Sequence, residues 1–411
     1  MMIRVLVGML IVCCIVVFGS VGLKINLSGS VETKKLVEDI SRSIVSLLPK
    51  EVYAEIKVND EVVFSNWLDE QPEVIYQQSL MATYDGSKDV YEVSWFDENG
   101  QRLYSCVYTP RGERPYFEFV RECVHLPLER ASFWLLKNDR FDEYLTLTYH
   151  PAIDEYGTFS PDGKYFAFIT DRRAGNRDIA LFDLQEGTLT ILPISGSSEY
   201  FPRFSPDGKR IAFQGSLHGF WNIYVMPLQD YSRNIVLLSA GNSPAYCPNW
   251  FSNDVVIYVQ DTEQGNALFT ATLGRRRTRI NLPEPFDMVF SPVVHDGIIY
   301  FVGLRNSNFG IYALTKDGKI VEVENTQFNE HDPAISPDGR YLAYASNVTG
   351  YYTIWVKDLV TEEKWCVTEN IPHDAFYPVF SPDGKYIAFS VYEGRYEPDI
   401  WFVRFKPSRS D

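Results

Sequence analysis

The chain has 411 residues, of which 45% are hydrophobic and 15% aromatic, with a formal net charge of −16 and a pI near 4.9. That length is ample for a large core and two or three domains. The acidic balance excludes a nucleic-acid binder, because no basic stripe offsets it; Arg275–Arg276–Arg277 is the only dense basic run, short enough to be a solvated loop.

In chain order the first signal is a targeting segment. Arg4 precedes a run from Val5 to Leu23 with no charged side chain, and Lys24 ends it. One positive charge before an apolar run directs the following chain out of the cytoplasm. Small residues at Gly19 and Gly22 offer cleavage positions. The same stretch is also long enough to stay in a bilayer as an anchor. Residues 1–23 are therefore a signal peptide or a membrane anchor, and membrane contact is confined to residues 5–23 if they are retained. Both readings make the protein extracytoplasmic, periplasmic or held on the inner membrane by its N-terminus.

Residues 24–142 predict a small α+β domain. Val31, Leu36, Val37, Ile40, Ile44, Val45 and Leu48 recur at helical spacing, with Ser30 as cap, Glu32 in the first turn and Pro49 as the stop. Strands are predicted at Tyr53–Val58, Glu61–Phe64, Val74–Tyr84, Val90–Phe96, Arg102–Tyr108 and Tyr116–Val124, giving an antiparallel meander over residues 50–125. Asp97-Glu-Asn-Gly100 is a hairpin signal within it. Cys106 and Cys123 lie on two of these strands; they could pair in an oxidising compartment, or remain buried thiols.

From residue 143 onward one block recurs. It reads Phe-Ser-Pro-Asp-Gly-Lys-Tyr-Phe-Ala-Phe from Phe159, with close copies from Phe204, Ile335 and Phe380 and degenerate copies from Trp250 and Phe290. The repeat serines Ser160, Ser205, Ser252, Ser291, Ser336 and Ser381 are spaced 45, 47, 39, 45 and 45 residues apart. Ser-Pro-Asp-Gly suits a type I turn, and the apolar residues after it suit a strand buried on both faces. Third and fourth strands follow at regular offsets, so each repeat is a four-stranded propeller blade. The sixth repeat lacks its fourth strand, and an orphan strand at 144–148 is predicted to supply it, closing the ring. The expected fold is mainly β: a six-bladed propeller over 143–411, preceded by the small α+β domain and the apolar segment.

The repeated block resembles the WD-like repeat of the TolB family, over about residues 143–411. The resemblance implies a periplasmic, non-enzymatic scaffold that binds a protein or envelope-polymer partner at one propeller face. The expected meander over residues 50–125 departs from the α/β domain that precedes the propeller in that family. Peptidases and polysaccharide lyases share such propellers, so a carbohydrate lyase or hydrolase acting at the channel mouth is the alternative. A Gly-x-Ser-x-Gly elbow is missing, and the chain ends at the sixth blade with no room for a hydrolase domain, which argues against a serine hydrolase.

The partner-binding residues are expected where first strands meet the channel: Asp154, Tyr200, Tyr246, His331, Asp332, Asp374, Phe376 and Tyr377. Carboxylates there, with Glu155, Glu199, Asp287 and Glu330, could hold Ca²⁺ or a basic segment, although capping turns and solvating the rim explains them more simply. His150, His331 and His373 could bind a metal from three blades, but their unequal offsets set them at different heights. No cofactor is required.

Overall fold

The computed structural model describes residues 21–407, apart from 67–73, 111, 113–115, 174–175, 193, 195–196, 218, 230, 232–233, 240–242 and 394–396. The expected signal or anchor thus lies outside the described residues up to position 20. Its last three residues, 21–23, open strand β1 (Val21–Gly29), whose Leu23 is fully buried. Among the described residues no helix is long and apolar enough to cross a membrane.

The N-terminal region is a six-stranded sheet with two helices: β1, α1 (Lys34–Leu47), β2 (Val52–Val58), β3 (Glu61–Ser65), β4 (Val74–Asp85), β5 (Val90–Phe96), β6 (Arg102–Tyr108) and α2 (Tyr116–Lys137). The order is β3-β2-β1-β4-β5-β6. Strand β1 runs parallel to both β2 and β4, so the sheet is mixed and not the expected antiparallel meander. The missing element was β1, whose alternation is hidden in the apolar N-terminal run. Leu23, Ile25 and Leu27 point to one face and meet Leu36, Val37, Ile40 and Ile44 of α1 in one core. The helix begins later than expected: Ser30 bonds its own neighbour Glu32 instead of capping, and Val31 is 87% exposed.

The predicted strand Tyr116–Val124 is the first half of α2. Buried Phe119, Val120, Cys123, Val124, Leu128, Ala131 and Leu135 recur at helical spacing. Pro127 sits inside this helix. Proline has no N–H to give the carbonyl four residues earlier, that of Cys123. The buried Trp95 indole N–H donates to the Cys123 carbonyl instead, at 2.6 Å. A sheet side chain thus supplies the bond that the helix cannot make for itself.

The propeller has six four-stranded antiparallel blades. Their innermost strands are Asp154–Phe159, Glu199–Phe204, Ala245–Ser252, Met288–His295, Glu330–Ile335 and Asp374–Phe380. Strand β7 (Tyr144–Thr146) pairs with Asp399–Arg404 as the outer strand of the sixth blade. The Ser-Pro-Asp-Gly turns are hydrogen-bonded alike. In the first, Ser160 Oγ donates to Asp162 Oδ1 at 2.6 Å and accepts from the Tyr165 N–H at 2.8 Å, and the Gly163 N–H closes onto the Ser160 carbonyl. Gly163 has φ +70°, which glycine adopts without a Cβ penalty.

Helix α2 lies along the seam between blades 6 and 1. Phe133 and Leu135 share a core with Phe166, Phe168, Phe182, Ala388 and Phe402. Arg172 of blade 1, its side chain only 8% exposed, donates to Glu129 of α2 at 2.7 and 3.2 Å and to Asp154 at 2.7 Å. Arg121 of α2 pairs with buried Asp399 of blade 6.

Trp95→Phe removes the donor and strands the Cys123 carbonyl in the core. It should cost about 1–3 kcal/mol in denaturant unfolding, while Val360→Ala, at a position 75% exposed, should change stability by less than about 0.5 kcal/mol. A Trp95→Phe protein as stable as the wild type would contradict this support for α2.

Candidate partner-binding mouth of the propeller

Each innermost strand carries one residue in the left-handed region: Tyr156, Phe201, Cys247, Ser291, Asp332 and Tyr377, with φ between 45° and 59°. Their spacings are 45, 46, 44, 41 and 45 residues. The ladder slips at every one of them, as between Tyr200 and Arg203 or between His331 and Ala334. The next residue is proline in blades 2 to 6 and Gly157 in blade 1. Proline brings no N–H, so it fits where the ladder is interrupted. At Gly157 a Cβ would lie 2.2 Å from the Phe166 ring.

This ring corrects one repeat assignment. Ser291-Pro292 is the bulge of blade 4 and not its turn. The turn is Asp296-Gly297, a two-residue hairpin with φ 46° and 73°. Left-handed non-glycine residues cost about 1 kcal/mol each. Because all six blades repeat the feature, it belongs to the architecture: the bulge turns each strand so that one side chain faces the channel.

Those six side chains form the throat. Tyr156, Phe201 and Tyr377 cluster with ring centroids 4.2, 4.3 and 5.9 Å apart. Opposite them are Cys247, Ser291, Asp332 and Arg203, leaving about 30 Å³ of free volume, room for a water or two. Burial pushes the Cys247 thiol up to about 11, which keeps it protonated. It also pushes the Asp332 carboxyl from 3.8 up to about 7, against the pull of the Tyr377 N–H and the Arg203 guanidinium.

One residue upstream of the throat stands a second ring: Glu155, Tyr200, Tyr246, Phe290, His331 and Phe376. Five of the six are aromatic, and those five are half-buried. They join side chains from neighbouring strands and loops into a belt. Phe290, Phe309, His331, Tyr352, Phe376 and Tyr392 follow one another across blades 4 to 6, at centroid spacings of 6.3, 4.9, 5.7, 4.6 and 5.5 Å. The Tyr392 hydroxyl then donates to Glu155, which pairs with Arg177. Arg177 lies over the Tyr200 ring at 4.9 Å, and Tyr200 packs edge-on against Trp221 at 5.2 Å. Burial lowers the His331 imidazole, favouring its neutral form.

Of the eight residues expected to bind a partner, the structure brings Tyr200, His331 and Phe376 into the belt, and Asp332 and Tyr377 into the throat beneath it. Tyr246 stands in the same ring, its hydroxyl donating to Asp261 at 3.1 Å. Asp374 accepts the Tyr352 N–H at 2.7 Å and braces a loop under the belt. Asp154 does not present to a partner: it is 0% exposed and held by Arg172. Glu199 and Glu330 are buried too, and burial lifts Glu199 to about 9, leaving it uncharged at neutral pH. His150 packs on His125, away from His331, and among the described residues no group of three or more His, Cys, Asp or Glu is placed to hold a metal ion. Phe309, Tyr352, Tyr392 and Trp221 were not anticipated. Trp221 and Tyr352 immediately precede the third strands of their blades, Phe309 lies at the start of one, and Tyr392 ends the second strand of blade 6, so aligning the second and third strands was the signal that could have found them.

No family model matches the chain. A stretch of 203 residues, 46% of the chain, is 24% identical to the uncharacterized peptidase YuxL of Bacillus subtilis and spans 29% of it. Another of 73 residues, 18% of the chain, is 33% identical to a TolB homolog of Chlorobaculum tepidum and spans 17% of it. The chain thus matches less than a third of the length of either relative. Among solved structures, one described as TolB from Agrobacterium tumefaciens aligns with a TM-score of 0.49 at 18% identity, over 64% of this chain and 93% of that one. An oligogalacturonate lyase of Vibrio parahaemolyticus aligns at 0.43 and 14%, over 65% and 94%. The fold is a six-bladed β-propeller. Six strand ladders and the β7 closure carry the blade count by themselves.

In this throat Asp332 gives a pH test. Its folded value lies above its unfolded one, so proton binding favours the folded state; the stabilisation is complete below about pH 4 and is lost as pH rises towards 7. Asparagine tolerates the left-handed backbone. Asp332→Asn should therefore raise the unfolding midpoint at pH 8 and leave it unchanged at pH 4. An equal effect at both would contradict the raised carboxyl.

Proposed function

We propose that the chain is an exported, non-enzymatic scaffold that holds a protein or envelope-polymer partner across the propeller face bearing the aromatic belt. The observation that carries this reading is the belt itself. Half-buried aromatic rings joined over several blades are what partner-binding surfaces are built from, because they bury much area at little entropic cost. The throat below, with about 30 Å³ free, suits a partner lying across the mouth and not one threaded through it. The TolB-like fold supports the same reading.

The apolar run after Arg4 supports export, with a periplasmic location or an anchor in the inner membrane. Strand β1 favours one of the two cleavage positions. Cleavage after Gly19 spares the strand, whereas cleavage after Gly22 removes the residues paired with Val52–Tyr53 and Val74–Ile75. An enzymatic reading draws on Asp332, a carboxyl titrating near neutrality in a channel throat, and on the peptidase relative. It requires turnover of a polysaccharide or peptide that Asp332→Asn abolishes.

The test is capture of partners from envelope extract by the full chain. Tyr352→Ala with Phe376→Ala removes two adjacent belt rings and should lower specific recovery about tenfold or more, with Val360→Ala as the control. Recovery unchanged by the double variant would overturn the belt as the docking site.

A further inference from the structure

Cys106 of β6 and Cys123 of α2 face each other in the interior, with their sulfurs 3.3 Å apart. They are 5% and 0% exposed. We propose that Cys106 and Cys123 are a disulfide-forming pair that pins helix α2 to the sheet, and that the bond closes during folding. The inference stands apart from the proposed partner, and in the cell it rests on the proposed export, which supplies the oxidising compartment.

Three features of the site carry it. First, an S–S bond is about 2.05 Å long, so about 1.2 Å of approach completes it, within reach of side-chain rotation. Second, Cys123 is held in place: Trp95 binds its carbonyl, and this anchors the helix where Pro127 interrupts its own ladder. Third, the other two described cysteines are not candidates for exchange, since Cys247 lies in the channel throat and Cys366 on the outer strand of blade 5.

The reaction is thiol–disulfide exchange. One cysteine, as thiolate, attacks the disulfide of an oxidant such as oxidised glutathione or a dithiol oxidase, releasing one reduced thiol. The second cysteine attacks the mixed disulfide, forming the Cys106–Cys123 bond and releasing the other. Two electrons pass to the oxidant, and the two protons leave the cysteine thiols. Both sulfurs are buried, so the oxidant reaches them only before α2 docks. The folded, reduced protein should therefore resist oxidation.

The bond closes a loop of 17 residues and ties down the helix that seals the seam between blades 6 and 1. The full chain, unfolded under reductant, is refolded with excess oxidised or with reduced glutathione. It is then alkylated, digested and mapped by mass spectrometry. The expected result is a linked peptide joining Cys106 to Cys123 in the oxidised sample, with an unfolding midpoint about 3–5 °C above the reduced one. The gain should vanish in Cys106→Ala and persist in Cys247→Ala. Alkylation of both cysteines as free thiols after oxidative refolding, or pairing of either with Cys247 or Cys366, would overturn the proposal. A linked peptide with no rise in midpoint would overturn the pinning role.

Discussion

The structure depends on closing a ring of six sheets at one seam. Five blades are continuous meanders, each complete from consecutive sequence. The sixth is assembled from both ends of the domain, with β7 laid against Asp399–Arg404 through the pairs Tyr144–Val403, Leu145–Phe402 and Thr146–Trp401. Without it the last blade would expose an unpaired edge. Three residues make a short ladder, and α2 reinforces it. Its apolar side fills the groove between blades 6 and 1, and Arg121 and Arg172 bridge to the two blades in turn. Buried ion pairs add little net stability but fix geometry, since removing one partner leaves a charge stranded. The N-terminal sheet and the propeller are joined by the same contacts that shut the ring.

That closure organises the mouth. Once the ring is fixed, six bulged strands bring six left-handed residues into the throat and the residues before them into the ring above. Tyr156 and Tyr377, from the blades on either side of the seam, meet at 4.3 Å only because the seam is shut. The belt also crosses it, from Tyr392 of blade 6 through Glu155 to Arg177 of blade 1. A partner lying across that side of the face would meet a surface whose continuity rests on β7 and α2.

The propeller was legible because its turns are chemical necessities repeated at a fixed interval. Ser160, Asp162 and Gly163 each make the bond or adopt the dihedral that the turn demands, and the orphan strand near Tyr144 followed from the missing fourth strand. Less of the site was legible. Tyr200, His331 and Phe376 could be placed at the mouth from the strand starts, but Asp154 looks like them in sequence and is drawn inward by Arg172, a partner on another loop. The throat was marked by the residue before each Pro202, Pro248, Pro292, Pro333 and Pro378; aligning on Ser-Pro placed Ser291 in a turn instead. Before the propeller, a strand and a helix misled for physical reasons. Strand β1 is as apolar as the segment before it. Helix α2 was read as a strand over Tyr116–Val124, and it holds Pro127, whose missing bond is made good by Trp95, a residue distant in sequence.

The most direct test of this account is native-state amide hydrogen exchange across the seam, on the full chain. If β7 and α2 close the ring, the amides of Leu145, Leu147 and Ile400–Val403 should exchange as slowly as those of Val256–Val259 in the middle of blade 3, since all would open only with the whole propeller. Exchange of the β7 segment and its partner strand at the rate of a fraying terminus, with blade 3 still protected, would show that the ring stands without them and would contradict the account.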